Sequence, residues 1–305
     1  MSLLILKPGI LASIQDSGRF GYQHWGIPIS GVMDILSMQA ANLTCGNNPN
    51  APVIECTLHG TSIEFQQLHQ FAIAGGGAIA TLNDKPISFN KSISADAGDL
   101  LQLHPSPNGC RSYLAVAGGF NIEAELNSCS TYALAKLGGI NGCYLKAGDI
   151  VPILAQEKGI DNQVVLTPNE LSQNKSSHLL LKKALDNPAL TRHQVTIQCY
   201  PGPEWDWFSS EAQERFTTHT WGVGNNSNRM GYSLSGPALE KNKKQELIST
   251  AVTRGIVQVT PSGMPIILMA DAQTIGGYPR IARIAESDLA ILAQCRPGYQ
   301  LNFQL

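Results

Sequence analysis

Short apolar runs, separated by turns rich in glycine and proline, most strongly limit what this chain can fold into. Glycine and proline account for 46 of the 305 residues, 29 and 17 respectively. Both residue types favour turns, so their frequency indicates many short strands rather than long helices. The sequence predicts strands at residues 3–7, 62–65, 71–74, 100–103, 112–117, 164–166, 195–199, 256–260, 266–270 and 300–303.

Helical patterns are fewer, and they begin at residues that suit a helix N-terminus. Asp34 opens the first pattern, where a carboxylate complements the helix dipole, and Ser287 is the expected N-cap of the last. Helices are predicted at residues 34–43, 177–185, 205–216 and 287–294. The predicted fold class is therefore mainly β, with a few peripheral helices.

The chain is poor in charge. Charged residues make up 14% of it, whereas soluble domains have about 25%. The formal net charge of -2 lacks the basic excess that nucleic-acid binding requires, and a disordered chain needs more charge. No run approaches the roughly 20 apolar residues that span a bilayer. We therefore expect a folded protein that binds neither nucleic acid nor membrane, and whose neutral surface is partly covered by a partner.

The N-terminus and the cysteines indicate the compartment. Residues 1–8 lack the basic region and the cleavage site of a signal peptide. The seven cysteines are odd in number and never spaced C-x-x-C, which disfavours a complete disulfide framework and a zinc site. These features predict reduced, buried thiols in a cytoplasmic protein without a metal site.

A polar segment divides the chain. Residues 156–193 hold nine charged residues among 38, a higher density than elsewhere. We interpret this segment as a polar connection that carries a surface helix. It would separate a first half at residues 1–155 from a shorter second half at residues 194–305.

The two halves share short motifs. Arg-Phe-Gly-Tyr at residues 19–22 recurs as Arg-Met-Gly-Tyr at residues 229–232, and a Ser-Gly pair follows each copy. An old duplication with a shorter second copy explains the pattern. The alternative is coincidence, because turns that combine glycine with an aromatic residue are common in β proteins.

Familiar catalytic motifs are absent from the sequence. It contains no G-x-x-x-x-G-K-[ST] phosphate loop, no H-E-x-x-H and no G-x-S-x-G, and its seven histidines are scattered. Chemistry carried by this chain would therefore depend on Asp, Glu, Arg, Gln and hydroxyl side chains.

Polar residues concentrate in a glycine-rich run at residues 15–34. Arg19 offers a rigid fork for a carboxylate or phosphate, and Asp16 and Asp34 could accept its hydrogen bonds or bind a substrate N–H. The alternative is structural: an Asx-turn at Asp16, locked by an ion pair from Arg19 to Asp34 or Glu55. The residues alone leave both interpretations open.

A second concentration follows an apolar strand within residues 263–279. Asp271, Gln273 and Thr274 come directly after the strand, and loops in such positions often carry function. The alternative is that Asp271 and Thr274 only cap the turn.

Two further clusters contain arginine. Residues 225–231 include Asn226 and Arg229, which could line the same cleft as the second concentration. Arg111 opens a predicted strand, and we interpret it as a charge at a strand edge rather than as part of a site.

Several motifs in order resemble those of one family, the allophanate hydrolase subunit 2 family. It is also called the biotin-dependent carboxyltransferase or urea amidolyase-related family, and it includes the C subunit of 5-oxoprolinase. The motifs that carry the resemblance lie at residues 15–19, 26–34, 55–60, 111–119, 201–203, 229–231, 246–249, 271–279 and 294–298. They span nearly the whole chain. The resemblance implies two cyclophilin-like β-barrel units.

The resemblance also implies an activity and partners. The implied activity is ATP-dependent opening of 5-oxoproline to glutamate, with ATP and Mg²⁺ used in a complex and with this chain inactive alone. The implied partners are an allophanate hydrolase subunit 1-like protein, which is the B subunit of 5-oxoprolinase, and a lactam hydrolase, which is its A subunit. One alternative is the carboxyltransferase component of a biotin-dependent urea carboxylase, which requires a biotin carrier. Another is a regulatory protein that binds a subunit 1-like kinase inhibitor.

Some positions depart from the family pattern. The usual Gly-Ser-Arg-Ser-Thr stands here as residues 127–131, Asn-Ser-Cys-Ser-Thr, and a second usual arginine is replaced around Cys143. Ile275 stands for a usual threonine, and Asn228 for a usual aspartate. The loss of two guanidinium groups in the first half leaves Arg19 and Arg229 as the main candidates for binding an acyl or phosphoryl oxygen.

These considerations define two sets of candidate residues. The predicted catalytic residues are Asp16, Arg19, Asp34, Arg229 and Asp271. The predicted substrate-binding residues are Gln15, Glu55, Asn226, Gln273, Thr274 and Tyr278.

Overall fold

A computed structural model describes residues 1–154, 186–242 and 246–305 of the chain. Strands are the predominant regular structure of the described residues, which contain only three short α-helices, and this confirms the predicted fold class. The strand predicted at 164–166 and the helix predicted at 177–185 lie outside the described residues. The division of the chain at 156–193 stays a prediction, because most of that segment is outside them as well.

Two antiparallel sheets form the first half and enclose one apolar core. Their strands are β1 (Ser2–Pro8), β2 (Leu11–Gln15), β3 (Val53–Thr57), β4 (Thr61–Phe65), β5 (His69–Gly75), β6 (Ala78–Leu82), β7 (Lys85–Pro86), β8 (Ile93–Ala95), β9 (Leu100–Pro105), β10 (Arg111–Val116) and β11 (Ile150–Pro152). One sheet has the order β11-β1-β4-β9-β6-β7, and the other has the order β2-β3-β10-β5-β8. Strand β10 is thus central, with β3 and β5 on either side.

A closed seven-stranded barrel forms most of the second half, in the order β12-β19-β16-β17-β14-β13-β20. The strands of this half are β12 (Gln194–Pro201), β13 (Trp221–Val223), β14 (Gly231–Ser235), β15 (Thr250–Ala251), β16 (Ile256–Val259), β17 (Pro265–Leu268), β18 (Ile275–Gly276), β19 (Arg280–Ile284) and β20 (Gln300–Gln304). Strands β15 and β18 pair with each other as a separate short ribbon. Buried aromatic side chains, Trp221, Phe208 and Phe216 among them, fill the barrel core.

Three α-helices of the described residues form close to where the sequence predicts helices, but their bounds differ from the predicted ones. They are α1 (Ile35–Thr44), α2 (Ser210–Thr218) and α3 (Leu289–Gln294). Asp34 lies just before α1 and caps it by accepting a hydrogen bond from the backbone N–H of Ser37.

The helix predicted at residues 205–216 was wrong at its start. A 3-10 turn at Trp205–Trp207 comes first, and the chain is extended at Phe208. The Ser209 side chain then caps α2 by accepting from the Ala212 N–H, which is the conformation that serine favours at an N-cap.

The N-cap predicted at Ser287 was also wrong. A 3-10 turn at Glu286–Asp288 precedes α3, and the Ser287 hydroxyl donates to the Asp288 side chain instead.

The two halves meet along the segment that leads into α1. Met33 belongs to the first half in sequence, but it is packed in the core of the second. The N–H of Ser30 donates to the carbonyl of Ala270 across the same junction, at 3.0 Å. The junction therefore brings together residues 15–34 and 263–279, the two polar concentrations of the sequence.

All seven cysteines are free thiols, and six of them are buried, as predicted; Cys143 is half-buried. None of the helices in the described ranges has the length and apolar character that a membrane span needs.

Candidate functional site

An ionic network lies buried at the junction of the two halves. Arg229 precedes β14 and donates from Nε and Nη2 to the carboxylate of Asp271, at 2.7 and 3.0 Å. Its Nη1 donates to Glu55 Oε1 on β3, at 2.5 Å, and its Nη2 also donates to the carbonyl of Gly31, at 2.7 Å. The Arg229 residue is 3% exposed and Glu55 is 1% exposed. Residues from both halves therefore surround this guanidinium.

Burial and ion pairing shift the pKa values of the residues in this network in opposite directions. Burial alone would raise the pKa of Glu55, but the positive charges of Arg229 and Arg111 lower the pKa overall. Burial would likewise lower the pKa of Arg229, and the carboxylates of Asp271 and Glu55 raise it. Glu55 and Arg229 are thus both charged at neutral pH, and each depends on the other for compensation.

Arg111 also belongs to this network, and our interpretation of it as a strand-edge charge was wrong. Strand β10 is central in its sheet, and Arg111 is buried. Its Nη1 donates to the hydroxyl of Tyr232, at 2.7 Å, and to the carbonyl of Ala293, at 2.5 Å, and its Nε lies 3.8 Å from Glu55 Oε1. A residue of the first half is thereby bonded to two elements of the second.

Gln294, at the end of α3, makes the second polar link between the halves. Its Oε1 accepts from the backbone N–H groups of Cys110 and Arg111, each at 3.0 Å. Its Nε2 donates to Asp34 Oδ2, at 2.8 Å, and to the carbonyl of Arg111, at 3.1 Å. Burial raises the pKa of Asp34, although the hydrogen bonds from Gln294 and Ser37 oppose this shift.

Asp16 organises a tight loop. Its carboxylate accepts from the N–H groups of Gly18 and Cys129, at 2.8 and 2.6 Å, and from the hydroxyls of Ser128 and Ser130, at 2.7 and 2.5 Å. The bond from Gly18 closes an Asx-turn, as the structural interpretation of the sequence expected.

The expected ion pair from Arg19 to Asp34 or Glu55 is not formed, and that part of the interpretation was wrong. Arg19 is fully buried and donates to the backbone carbonyls of Glu125, Ser128 and Ser130 instead. Burial lowers its pKa. The neighbouring Gln15 side chain is also buried and donates to the carbonyl of Thr131 at 3.1 Å.

Gly18 and Gly31 allow the segments 15–19 and 26–34 to approach each other with their backbones in contact. Gly31 has a φ of 77°, and a Cβ atom there would lie 2.9 Å from the Cα of Gly18. No other residue fits such an approach without moving one of the loops. The runs at 15–19 and 26–34 are therefore in close backbone contact immediately before α1.

An open groove of about 490 Å³ lies at the surface of the same junction. It separates the 3-10 turn Gln23–Trp25 of the first half from the β15–β18 ribbon of the second. Its walls include the side chains of Gln23, His24, Ala251, Thr253, Thr274 and Ile275. A narrower crevice shares Gln23, Val252, Thr253 and Thr274 with the groove, and it is also lined by Gln273 and Arg254.

The predicted site residues thus fall into three groups. Thr274 lines both the groove and the crevice, and Gln273 lines the crevice alone. Seven others are buried and hydrogen-bonded within the protein: Gln15, Asp16, Arg19, Asp34, Glu55, Arg229 and Asp271. Asn226 and Tyr278 are exposed and line neither the groove nor the crevice.

Sequence reasoning missed several residues of the junction: Gln23, His24, Thr253, Arg254 and Gln294. A weak signal existed for the first two, because they lie between Gly21 and Gly26 in the glycine-rich run. Gln294 opens the motif at residues 294–298, which was a signal for it, but only the packing of α3 against β10 shows its partners.

The chain is similar to known proteins over nearly its full length. The family described as carboxyltransferase domain, subdomain A and B, matches residues 25–305. The C subunit of 5-oxoprolinase from Haemophilus influenzae is 38% identical over 96% of this chain and 87% of that protein. The corresponding C subunit from Escherichia coli is 36% identical over 99% of this chain and 90% of that protein.

A solved structure is similar as well. The crystal structure of the urea amidolyase of K. lactis superimposes on 99% of this chain, with a TM-score of 0.88 and 31% identity. This chain covers only 18% of that much longer protein.

Proposed function

This chain belongs to the carboxyltransferase domain family with subdomains A and B, and on that premise we propose that it is a subunit of an ATP-dependent 5-oxoprolinase. Two relatives that are named as the C subunit of 5-oxoprolinase are matched over almost their entire length. Urea amidolyase is matched over a small part only. The similarity therefore favours a separate subunit of this kind.

In the proposed reaction, the γ-phosphoryl group of ATP passes to the lactam oxygen of 5-oxoproline. Water then attacks the activated carbonyl carbon, and the ring C–N bond breaks to give γ-glutamyl phosphate. A second water hydrolyses this acyl phosphate to glutamate and inorganic phosphate. ATP is consumed as a co-substrate. Arg19 and Arg229, the two guanidinium groups expected to clamp a phosphoryl oxygen, are buried and already bonded within the protein. We therefore assign ATP and Mg²⁺ to the partner proteins of the complex, in the cytoplasm.

The groove between the halves supports this function best, and it is the observation that carries the proposal. Gln273 and Thr274 reach it or its crevice from a motif that we recognised in the sequence, and Gln23 and Thr253 reach it from other segments. Amide and hydroxyl groups can hydrogen-bond to the N–H and C=O of a lactam. We assign these side chains to orienting the substrate ring.

The buried polar residues then have a supporting role. Asp16, Arg19 and Asp34 hold the loops of the first half, and Arg229 with Asp271 ties them to the second half. Side chains that face a substrate need such support, because small displacements of the groups that orient it slow a reaction strongly. We propose that these residues position the groove and do not touch the substrate.

A partner completes the proposed enzyme. Trp25 and Ile275 are 64% and 63% exposed, and they flank the groove from the two halves. Large apolar side chains exposed together at a rim often mark a surface for another protein. We assign this rim to the allophanate hydrolase subunit 1-like partner, the B subunit of 5-oxoprolinase. The isolated chain should then be less soluble than its complex.

Reconstitution tests the proposed function. The chain, the subunit 1-like protein and the lactam hydrolase are mixed, and ADP release is measured with and without 5-oxoproline. We expect 5-oxoproline-dependent ADP release only when all three are present. A Thr274→Val chain should lower kcat/KM for 5-oxoproline about tenfold, the cost of one hydrogen bond to the substrate. Thr218→Val, on the exposed end of α2, is the matched control. ADP release that does not require this chain would contradict the proposal.

A second candidate is the carboxyltransferase component of a biotin-dependent urea carboxylase. The high TM-score to urea amidolyase favours it. That function requires a biotinylated carrier protein, so it predicts urea-dependent loss of the carboxyl group from carboxybiotin. If such turnover occurs while 5-oxoproline has no effect, this candidate replaces the first. Binding of the subunit 1-like protein without any turnover would indicate a regulatory role.

A further inference from the structure

Arg254 lines the crevice that shares walls with the groove, and no carboxylate of the described residues lies within 4.0 Å of it. Its Nη1 donates to the carbonyl of Val32 at 3.1 Å, and its Nη2 donates to the carbonyl of Met33. Its Nε is buried and has no hydrogen-bond partner in the described part of the chain. This guanidinium therefore has an unused donor and, within the described ranges, no carboxylate in direct contact.

The other arginines at the junction are compensated differently. Arg229 contacts the carboxylates of Glu55 and Asp271, and Arg111 lies near Glu55. The groups whose fields reach Arg254 are Tyr113, Glu286 and Glu55, which raise its pKa, Arg229, which lowers it, and Asp34, whose own pKa is lowered by the charge of Arg254. Burial outweighs them and lowers the pKa of Arg254. An arginine in this position is stabilised by an anion brought to it by a ligand.

The shape of the crevice limits that anion. The crevice has a volume of about 10 Å³, enough for one oxygen atom. The groove outside it has about 490 Å³ and is walled by Val252, Ile256 and Ile275 as well as by threonines. A small ring would occupy the groove, and one oxygen of an attached carboxylate would enter the crevice.

We propose that Arg254 binds the carboxylate of 5-oxoproline and thereby selects an anionic lactam over a neutral amide. A guanidinium offers planar, charge-assisted hydrogen bonds that suit a carboxylate. The inference rests on the proposed function for the identity of the ligand. It also separates the two candidate substrates, because urea carries no charge that could compensate Arg254.

Steady-state kinetics of the reconstituted complex test this assignment. Arg254→Gln should raise KM for 5-oxoproline about 10- to 100-fold, as expected for the loss of a charge-assisted contact. The effect on kcat should be small, because the contact is made equally in the ground state and the transition state. With 2-pyrrolidinone, the same ring without the carboxylate, wild type and variant should have the same KM. Arg283→Gln, an exposed charge on β19, should leave all values unchanged.

Arg254 also donates to two backbone carbonyls, so its substitution could disturb the local structure as well as substrate binding. A second measurement therefore uses the wild-type complex only. Calorimetry on the wild-type complex compares 5-oxoproline with 2-pyrrolidinone, and we expect the carboxylate to strengthen binding about 10-fold or more. Equal affinities for the two compounds, or an unchanged KM in a folded Arg254→Gln complex, would overturn the proposal. If the wild-type complex binds 5-oxoproline through Arg254 but never hydrolyses ATP, the proposed function fails and this inference stands.

Discussion

Arg229 in the second half of the chain donates a 2.5 Å hydrogen bond to Glu55 in the first half, and both side chains are buried. Asp271 accepts two more bonds from the same guanidinium. A cation shared by two carboxylates from different halves fixes how the halves sit relative to each other. The groove lies at their junction, so its shape depends on this contact.

Removal of the shared cation should destabilise the protein strongly. Arg229→Met leaves Glu55 and Asp271 buried without their counter-ion, and we expect a loss of about 3–5 kcal/mol in the free energy of unfolding. Urea denaturation followed by tryptophan fluorescence measures it. Arg283→Met, on an exposed position of β19, should change stability by less than about 0.5 kcal/mol. Equal stability of the two variants would mean that the network does not hold the halves together.

The network also predicts how stability responds to acid. The pKa of Glu55 in the folded chain is below its ordinary value of 4.5. A lowered pKa means that Glu55 contributes stability above its unfolded-state pKa, and that this contribution is lost as the pH falls through the folded pKa. We expect the stability difference between wild type and Glu55→Gln to shrink as the pH falls below 4.5. Unfolding curves across this range measure it, and a constant difference would contradict the assignment.

Gln294 should be sensitive to the loss of its amide donor. Gln294→Glu keeps the acceptor for Cys110 and Arg111, but it places a carboxylate against Asp34, whose Oδ2 accepts from the amide at 2.8 Å. We expect a loss of about 1–3 kcal/mol at neutral pH. The deficit should lessen as the pH falls, because protonation of either carboxyl restores a donor. Thermal unfolding at several pH values provides the test, and a deficit independent of pH would refute the contact.

Thiol reactivity checks the burial of the cysteines. Burial raises the pKa of Cys45, Cys56 and Cys199 to about 12, and thiols react as thiolates. A chromogenic disulfide reagent at pH 8 should therefore modify Cys143 rapidly and the buried cysteines only after unfolding. Fast modification of several cysteines in the native protein would contradict the packing.

The sequence predicted the fold class well, because glycine and proline punctuate strands locally. It also singled out Asp271, Gln273 and Thr274, since polar groups after an apolar run are visible in one segment, and Arg229, which lies in a polar cluster at residues 225–231. Pairing across the junction could not be predicted: Glu55 lies 174 residues from Arg229 in the chain, and the sheet order decides that they meet. Arg111 was misjudged for the same reason, because a central strand and an edge strand have similar sequences.

The most direct test of the groove as the substrate site is a substitution that fills the groove and leaves the buried ionic network unchanged. Ala251, an exposed residue of β15, lines the groove, and tryptophan there would occupy the space assigned to the substrate ring. Glutamate formed from 5-oxoproline is measured in the reconstituted complex, with assembly checked by size-exclusion chromatography. We predict that the Ala251→Trp complex assembles and forms almost no glutamate. An assembled complex that forms glutamate at the wild-type rate would show that the groove is not the substrate site.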